Sequence, residues 1–169
     1  MPPPLNVPVS RAAPSSGKIA PAEDALRRLA ALPRPLVFTN GVFDILHRGH
    51  VAYLEEARSL GASLAVAVNS DRSVKRLDKG DERPLNSLDD RMAVLAALAC
   101  VDLVVPFDDD TPRTLIAACL PDTLVKGGDY TAQTTAGAPE VIAAGGRFVA
   151  IPFRHDRSTT ALVRRIRGD

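Results

Sequence analysis

Leu36-Val-Phe-Thr-Asn-Gly-Val-Phe-Asp-Ile-Leu-His-Arg-Gly-His50 carries a strand signal, a turn signal and a helix start in direct succession. Leu36, Val37 and Phe38 form a short apolar run, Asn40-Gly41 is turn chemistry, and an amphipathic pattern from about Arg48 to Leu60 spells a helix. The unit is β-turn-α with polar residues at its mouth. His47 and His50, three apart across the first helical turn, project to the same side. Gly49 between them has no Cβ, so a ligand can lie close against the backbone. The free N–H groups and positive dipole end of a helix start favour anions, and a phosphate chain suits such a mouth. Two imidazoles beside those amides add donors without a permanent charge. They do not read as a metal pair, because the chain has 3 His and no third ligand stands at a familiar zinc spacing.

Outward from this unit, apolar runs of strand length alternate with helical patterns. Pro21 opens a helix to about Leu32, stopped by Pro33. Ser63–Asn69 reads as a strand, and Asn69-Ser-Asp71 then caps a short helix carrying Val74 and Leu77. A helix over Leu88–Ala99 precedes a strand over Val101–Phe107. Thr111-Pro112 opens a helix to about Cys119, Thr123–Lys126 is a short strand, and Pro139 opens a helix ended by Gly145-Gly146. Arg147–Pro152 is the last strand, and Arg157-Ser-Thr-Thr160 heads an amphipathic helix. This alternation predicts an α/β fold, a three-layer Rossmann-like sandwich around a five-stranded parallel sheet. No GxGxxG follows a strand and no GxxxxGK[ST] occurs, so neither a dinucleotide fingerprint nor a P-loop is present.

The 169 residues suit one domain, expected over 18–169, and 46% apolar with 24% charged residues is ordinary for a globular protein. Residues 1–17, rich in Pro, Ser and Ala without a periodic pattern, read as a disordered leader. The net charge of +1 is dispersed, which predicts no nucleic-acid footprint. No apolar stretch approaches the roughly 18 residues of a membrane span, and no secretion signal opens the chain. Cys100 and Cys119 lie in apolar contexts without metal spacing and read as buried small hydrophobes of a reducing compartment, so the expected location is the cytoplasm.

Further candidates stand at strand ends and helix starts. Lys18 is either a solvated charge or folds back onto a phosphate. Asn69 ends a strand where open α/β sheets bind ligands, unless it is only a turn former. Arg91, a cation in the first turn of its helix, needs a compensating anion, either a ligand or Asp89 and Asp90. Asp108-Asp-Asp110 reads as a solvated cap region and not a metal site. Asp78-Lys-Gly-Asp-Glu-Arg-Pro84 is a charged loop, the best candidate for a mobile flap. Lys126 with Gly127-Gly-Asp129 can be presented to a phosphate without steric interference, and the hydroxyls of Ser158-Thr-Thr160 can cap a helix or hold phosphate oxygens. An activated nucleophile of the Ser/His/Asp kind is not evident. A phosphate monoester, with a second pKa of about 6, is already an anion at neutral pH and can attack the α-phosphate of a nucleoside triphosphate without a general base. Catalysis then consists of positioning two anions in line and neutralising charge.

His47-Arg-Gly-His50 matches the HxGH signature of the nucleotidyltransferase superfamily, and Thr39-Asn-Gly-Val-Phe-Asp-Ile-Leu-His47 resembles its cytidylyltransferase-like branch. Val68-Asn-Ser-Asp71, Ser73-Val-Lys-Arg-Leu77, Arg83-Pro84, Asp90-Arg-Met-Ala-Val-Leu-Ala-Ala-Leu98, Asp110-Thr-Pro112 and Leu124-Val-Lys-Gly-Gly-Asp-Tyr130 together resemble the adenylyltransferases of ADP-heptose synthesis, over about Lys18 to Arg167. The resemblance implies AMP transfer from ATP to D-glycero-D-manno-heptose 1-phosphate, with Mg²⁺, for lipopolysaccharide synthesis. It implies catalytic roles for His47, His50 and Lys126. Thr39, Asn40, Gly41, Phe43, Gly49, Gly127 and Asp129 would line the nucleotide site, and Ser158 with Thr159 would hold the β/γ-phosphates. Asp44, Asn69, Arg91 and Lys18 would serve the acceptor side, and no protein metal site is implied. Homologous folds often pair, so a homo-oligomer is open, and many relatives are fused to a sugar kinase that here would be a separate polypeptide. Val42 stands where relatives often carry Cys, and Arg157 stands where related cytidylyltransferases often have Ile or Cys. Two alternatives remain at this stage: a cytidylyltransferase acting on glycerol 3-phosphate or another small phosphate, and a non-catalytic nucleotide-binding partner of a sugar kinase.

Overall fold

The computed structural model describes residues 15–77, 82–152, 162–163 and 165–166. Five strands run parallel, β1 (Leu36–Gly41), β2 (Ser63–Asn69), β3 (Leu103–Phe107), β4 (Thr123–Gly127) and β5 (Arg147–Ile151), in the order β3-β2-β1-β4-β5. Every residue of β2 is buried, which is why its run is continuously apolar and does not alternate. β1 lies in the middle, with Val37 beside Leu64 of β2 on one side and Thr123 of β4 on the other.

The helices are α1 (Ala25–Ala30), α2 (Arg48–Arg58), α3 (Asp71–Arg76), α4 (Leu88–Ala96), α5 (Arg113–Cys119) and α6 (Ala138–Ala143), and residues 162–163 and 165–166 are also helical. One core packs Tyr53, Leu54 and Ala57 of α2 and Met92, Leu95 and Ala96 of α4 against Val37, Leu64, Val66, Val104 and Val125. The other packs Ala25 and Leu29 of α1, Ile116 of α5 and Val141 of α6 against Leu36, Phe38, Leu103, Val105 and Leu124. Three layers result, as expected, and each fully buried Leu, Ile or Phe contributes about 1.5–3 kcal/mol by leaving water. The chain crosses from β1 out to β3 on one side, then returns to begin β4 on the other. Strand order therefore reverses at the carboxyl ends of β1 and β4, and such a reversal leaves a crevice for a ligand. None of these helices is long and apolar enough to cross a membrane.

Element bounds shift at a few ends. α1 is entered through a 3₁₀ turn over Ala22–Asp24. The N–H of Val101 donates to the Leu98 carbonyl and closes the turn after α4, so β3 starts two residues later than its apolar run. Within the stretch expected as a leader, Ser16–Lys18 begin a 3₁₀ turn, and Ile19 beyond it bridges to Val104 on the β3 edge. Residues 1–14 lie outside the described residues.

The amino ends of the two central strands are tied by the same device used twice. Asp102 accepts the Leu64 N–H at 2.8 Å and the Arg58 Nε at 2.9 Å. Asp122 accepts the Leu36 N–H at 2.6 Å and the Arg34 Nη1 at 3.0 Å. Each carboxylate satisfies an amide that no neighbouring strand reaches. Replacing Asp122 by Ala is expected to lower the unfolding free energy by about 1–3 kcal/mol, the usual penalty for a buried donor left unpaired, as read from urea unfolding midpoints at constant slope.

Candidate active site

β1 delivers Asn40 and Gly41 to the crevice, and the turn after it folds back on itself. A Cβ on Gly41 would meet the Phe43 ring at 2.9 Å, so glycine is required for Phe43 to take its position, which it does at a φ of 50°. Phe43 meets the His50 ring edge-on with centroids 5.4 Å apart. His47 is the N-cap of α2: its Nδ1 accepts the Gly49 N–H at 3.1 Å. That cap orients its ring, and the two imidazoles stack with centroids 3.9 Å apart and planes 22° from parallel. Burial, and secondarily the nearby His47, lower the His50 pKa to about 4. His50 is therefore neutral at physiological pH. Its Nδ1 and the Oδ1 of Asn40 are buried polar atoms with no hydrogen-bond partner among the described residues.

Across the strand-order reversal, β4 ends in Lys126. Its Nζ donates to the Asn40 carbonyl at 3.2 Å and stands 5.6 Å from the centroid of the Tyr130 ring. Gly128, at a φ of 98°, then turns the chain after the lysine.

The third wall hangs on Asp44 and Arg91. The buried Asp44 carboxylate accepts the Leu85 and Asn86 N–H groups, each at 2.9 Å, and forms an ion pair with Arg83, whose Nε stands 2.6 Å away. It thereby anchors the segment before α4 to the turn after β1. Arg91 is 2% exposed, and its guanidinium donates to the carbonyls of Val42 at 2.7 Å, Asn69 at 2.7 Å and Asn86 at 3.1 Å. Its compensating anion is Asp71, at 2.8 Å, and not Asp89 or Asp90, because α4 turns Arg91 inward while Asp90 takes the Ser87 hydroxyl at 2.6 Å.

These walls enclose a cavity of about 660 Å³, a volume typical of small-molecule sites. Asn40, Gly41, Phe43, Asp44, His50, Asn69, Lys126 and Gly127 line it. His47 stands behind His50 in the stack. Thr39 lies below, its hydroxyl bonded to that of Tyr53 at 2.6 Å, and Arg91 acts from the rear of the wall. Gly49 is buried in α2, and Asp129 is exposed outside the lining. Lys18 is not brought to the cavity: its Nζ donates to the Leu98 carbonyl at 3.1 Å, because Ile19 aligns this segment with the start of β3. Ser158 and Thr159 fall outside the described residues, as do 78–81 of the expected flap. The acidic run is more than a solvated cap. Asp108 and Asp110 pair with Arg72 at 2.9 Å and Arg76 at 2.6 Å on α3, and Asp110 reaches the cavity.

Lining residues absent from the expected set include Tyr53, Arg83, Tyr130, Thr134 and Thr135. Tyr53 was within reach of the pattern, one further step of three along the face that carries His47 and His50. Thr134 and Thr135 lie in a polar stretch with no periodic signal.

A cavity at the strand-order reversal of a parallel sheet, flanked by a helix start bearing two imidazoles, is the arrangement of a nucleotidyltransferase-type α/β protein. Residues 38–165 match the cytidylyltransferase-like family model, and the chain belongs to that family. It is 62% identical over 136 residues to the D-beta-D-heptose 1-phosphate adenylyltransferase of Bordetella bronchiseptica, covering 80% of this chain and 84% of that protein. It is 56% identical over 145 residues to the bifunctional protein HldE of Vibrio cholerae, covering 86% of this chain but 30% of that longer protein. Among solved structures, the lipopolysaccharide core biosynthesis protein of Thermoplasma volcanium superposes with a TM-score of 0.58 at 26% identity, over 72% of this chain and 98% of that one. The pantoate-beta-alanine ligase of Francisella tularensis, at 14% identity and a TM-score of 0.57 over 84% of this chain and 68% of that one, shares the fold.

The lowered His50 pKa has a sign that can be checked. Because the folded value lies below the unfolded 6.5, its contribution to stability is intact above pH 6.5 and is lost as pH falls toward 4. An NMR titration of the ligand-free protein is expected to show one histidine with a midpoint near 4 that disappears in His50→Gln.

Proposed function

We propose that this chain transfers AMP from ATP to D-glycero-D-manno-heptose 1-phosphate, giving ADP-heptose and pyrophosphate. The family and the 62% identical adenylyltransferase support the reaction class. The observation that carries it in this chain is the stacked His47–His50 pair at the start of α2, facing Lys126 across the reversal point, a set of donors suited to phosphates.

The acceptor's phosphate oxygen attacks the α-phosphorus of ATP, and the bond from that phosphorus to the bridging oxygen breaks, so the electron pair leaves with pyrophosphate. His50 and the first amides of α2 hold the triphosphate, while Lys126 neutralises charge at the α-phosphate. A neutral His50 has one ring N–H to donate to a phosphate oxygen, and an arriving phosphate favours its protonated form, so positive charge develops where negative charge gathers. Thr39, Gly49 and His47 shape this wall. Asn40, Gly41, Phe43 and Gly127 border the nucleotide, with Asp129 on the ribose and Ser158 and Thr159 at the β/γ-phosphates. Asp44, Asn69 and Arg91 form the acceptor side.

Among the described residues no group of three or more His, Cys, Asp or Glu is placed to hold a metal ion. The donor chemistry would fit Mg²⁺ carried in with the triphosphate, and Asn40 Oδ1, a buried oxygen without a hydrogen-bond partner among the described residues, is the protein group that would face it. The metal would supply neutralisation of phosphate charge. Residues 18–169 act as one catalytic domain in this reading, and the free Cys100 and Cys119 suit a reducing cytoplasm.

Pyrophosphate release with Mg²⁺ tests the reading, crossing ATP and CTP against both anomers of heptose 1-phosphate and against glycerol 3-phosphate. Release with ATP and the β anomer is expected, and release only with CTP and glycerol 3-phosphate would overturn the substrate assignment. In the same assay His50→Ala is expected to reduce kcat by about 10²–10³-fold, the usual loss for one donor to a transition-state oxyanion.

A further inference from the structure

Among the described residues the cavity lining holds one lysine and one arginine, and the reaction must bring two separately charged anions together. Lys126 stands at the end of β4, beside Asn40. The arginine is Arg83, on the segment before α4, and nothing so far gives it a ligand. Its side chain is 10% exposed, and its Nε lies 2.6 Å from the fully buried Asp44 carboxylate. That carboxylate is also hydrogen-bonded by the amides of Leu85 and Asn86. Its negative charge is therefore met by two amides as well as by the guanidinium. The Nε edge is used by Asp44, and no hydrogen bond among the described residues engages either Nη group. A guanidinium anchored by one edge and lining a cavity with its fork unused is a pre-oriented bidentate receptor for a phosphate.

We propose that Arg83 binds the phosphate of the acceptor sugar and holds the attacking oxygen toward the nucleotide. The inference rests on the transferase reading above and deepens it. The nucleotide phosphates occupy the His50 and Lys126 side of the cavity. The acceptor phosphate takes the Asp44 side, where Arg83 is the cation of the lining. Tethering by Asp44 makes the position rigid, so the bound phosphate is oriented as well as attracted. Asp44 acts as a positioning residue, its oxygens being occupied by protein donors.

Arg83→Lys keeps the charge and the means to pair with Asp44 but loses the fork, and Arg83→Gln loses both. In steady-state kinetics with Mg²⁺-ATP, KM for heptose 1-phosphate is expected to rise about 10–100-fold in Arg83→Gln, as for one lost charge-assisted contact, and by a smaller factor in Arg83→Lys. KM for ATP is expected to stay within about twofold in both, because uniform loss of acceptor binding leaves nucleotide binding alone. Inorganic phosphate, as a competitor of the sugar phosphate, is expected to lose potency in parallel. A wild-type KM for the sugar phosphate in the folded Arg83→Lys protein would overturn the proposal, and so would a rise confined to ATP. Wild-type protein that releases no pyrophosphate with any sugar phosphate would instead overturn the transferase reading itself.

Discussion

The guanidinium of Arg91 is shared by backbone oxygens from three segments that would otherwise end separately: the turn after β1, the last residue of β2 and the segment before α4. Where a parallel ladder stops, its final carbonyls have no strand left to pair with, and burying them unpaired would cost about 1–3 kcal/mol each. A planar cation with five donors satisfies all three together, and Asp71 balances its charge. Lysine cannot do this from one position. Asp44 repeats the logic with the opposite sign, collecting two amides and Arg83 onto the turn that leads into α2. The mouth of the crevice is thus held by buried charge on both sides of β1, with its groups set in place before any substrate arrives.

That preorganisation matters because the chemistry joins like charges. The wall against α2 uses weakly charged donors: helix amides, and an imidazole kept neutral by burial and by its stacked neighbour. Permanent positive charge sits apart, on Lys126 across the strand reversal and on Arg83 over the β1 turn. A cavity built this way holds its cations in place, Lys126 at the Asn40 carbonyl and Arg83 beside Asp44, ready to neutralise phosphates when they bind.

Much of this was legible in the chain. Leu36 to His50 spelled a strand, a turn and a helix start in one line, and the unbroken apolar runs of β2 and β3 announced a sheet covered on both faces. Local, periodic signals of that kind survive folding. Residues whose partners lie far along the chain did not announce themselves. The sequence shows Arg91 as a first-turn cation in need of an anion but not which one, because Val42 and Asn69, which draw it inward beside Asp71, are 49 and 22 residues away. Arg83 sat in a charged loop indistinguishable from solvent-facing sequence until Asp44, whose amide partners begin 41 residues on, proved to be buried. Lys18 erred in the other direction, since a charge before a helix carries no record that the next residue would align with β3.

In the proposed reaction the cavity positions two anions for direct displacement, with no covalent intermediate on the protein. Among its described lining residues there is no serine or cysteine. The most direct test is the stereochemical course at the α-phosphorus, using ATP carrying a single diastereomer of an α-phosphorothioate and reading the configuration of the nucleotide sugar by ³¹P NMR. The account predicts inversion, the mark of one in-line displacement. Retention would mean two displacements through a group on the protein, and would contradict it.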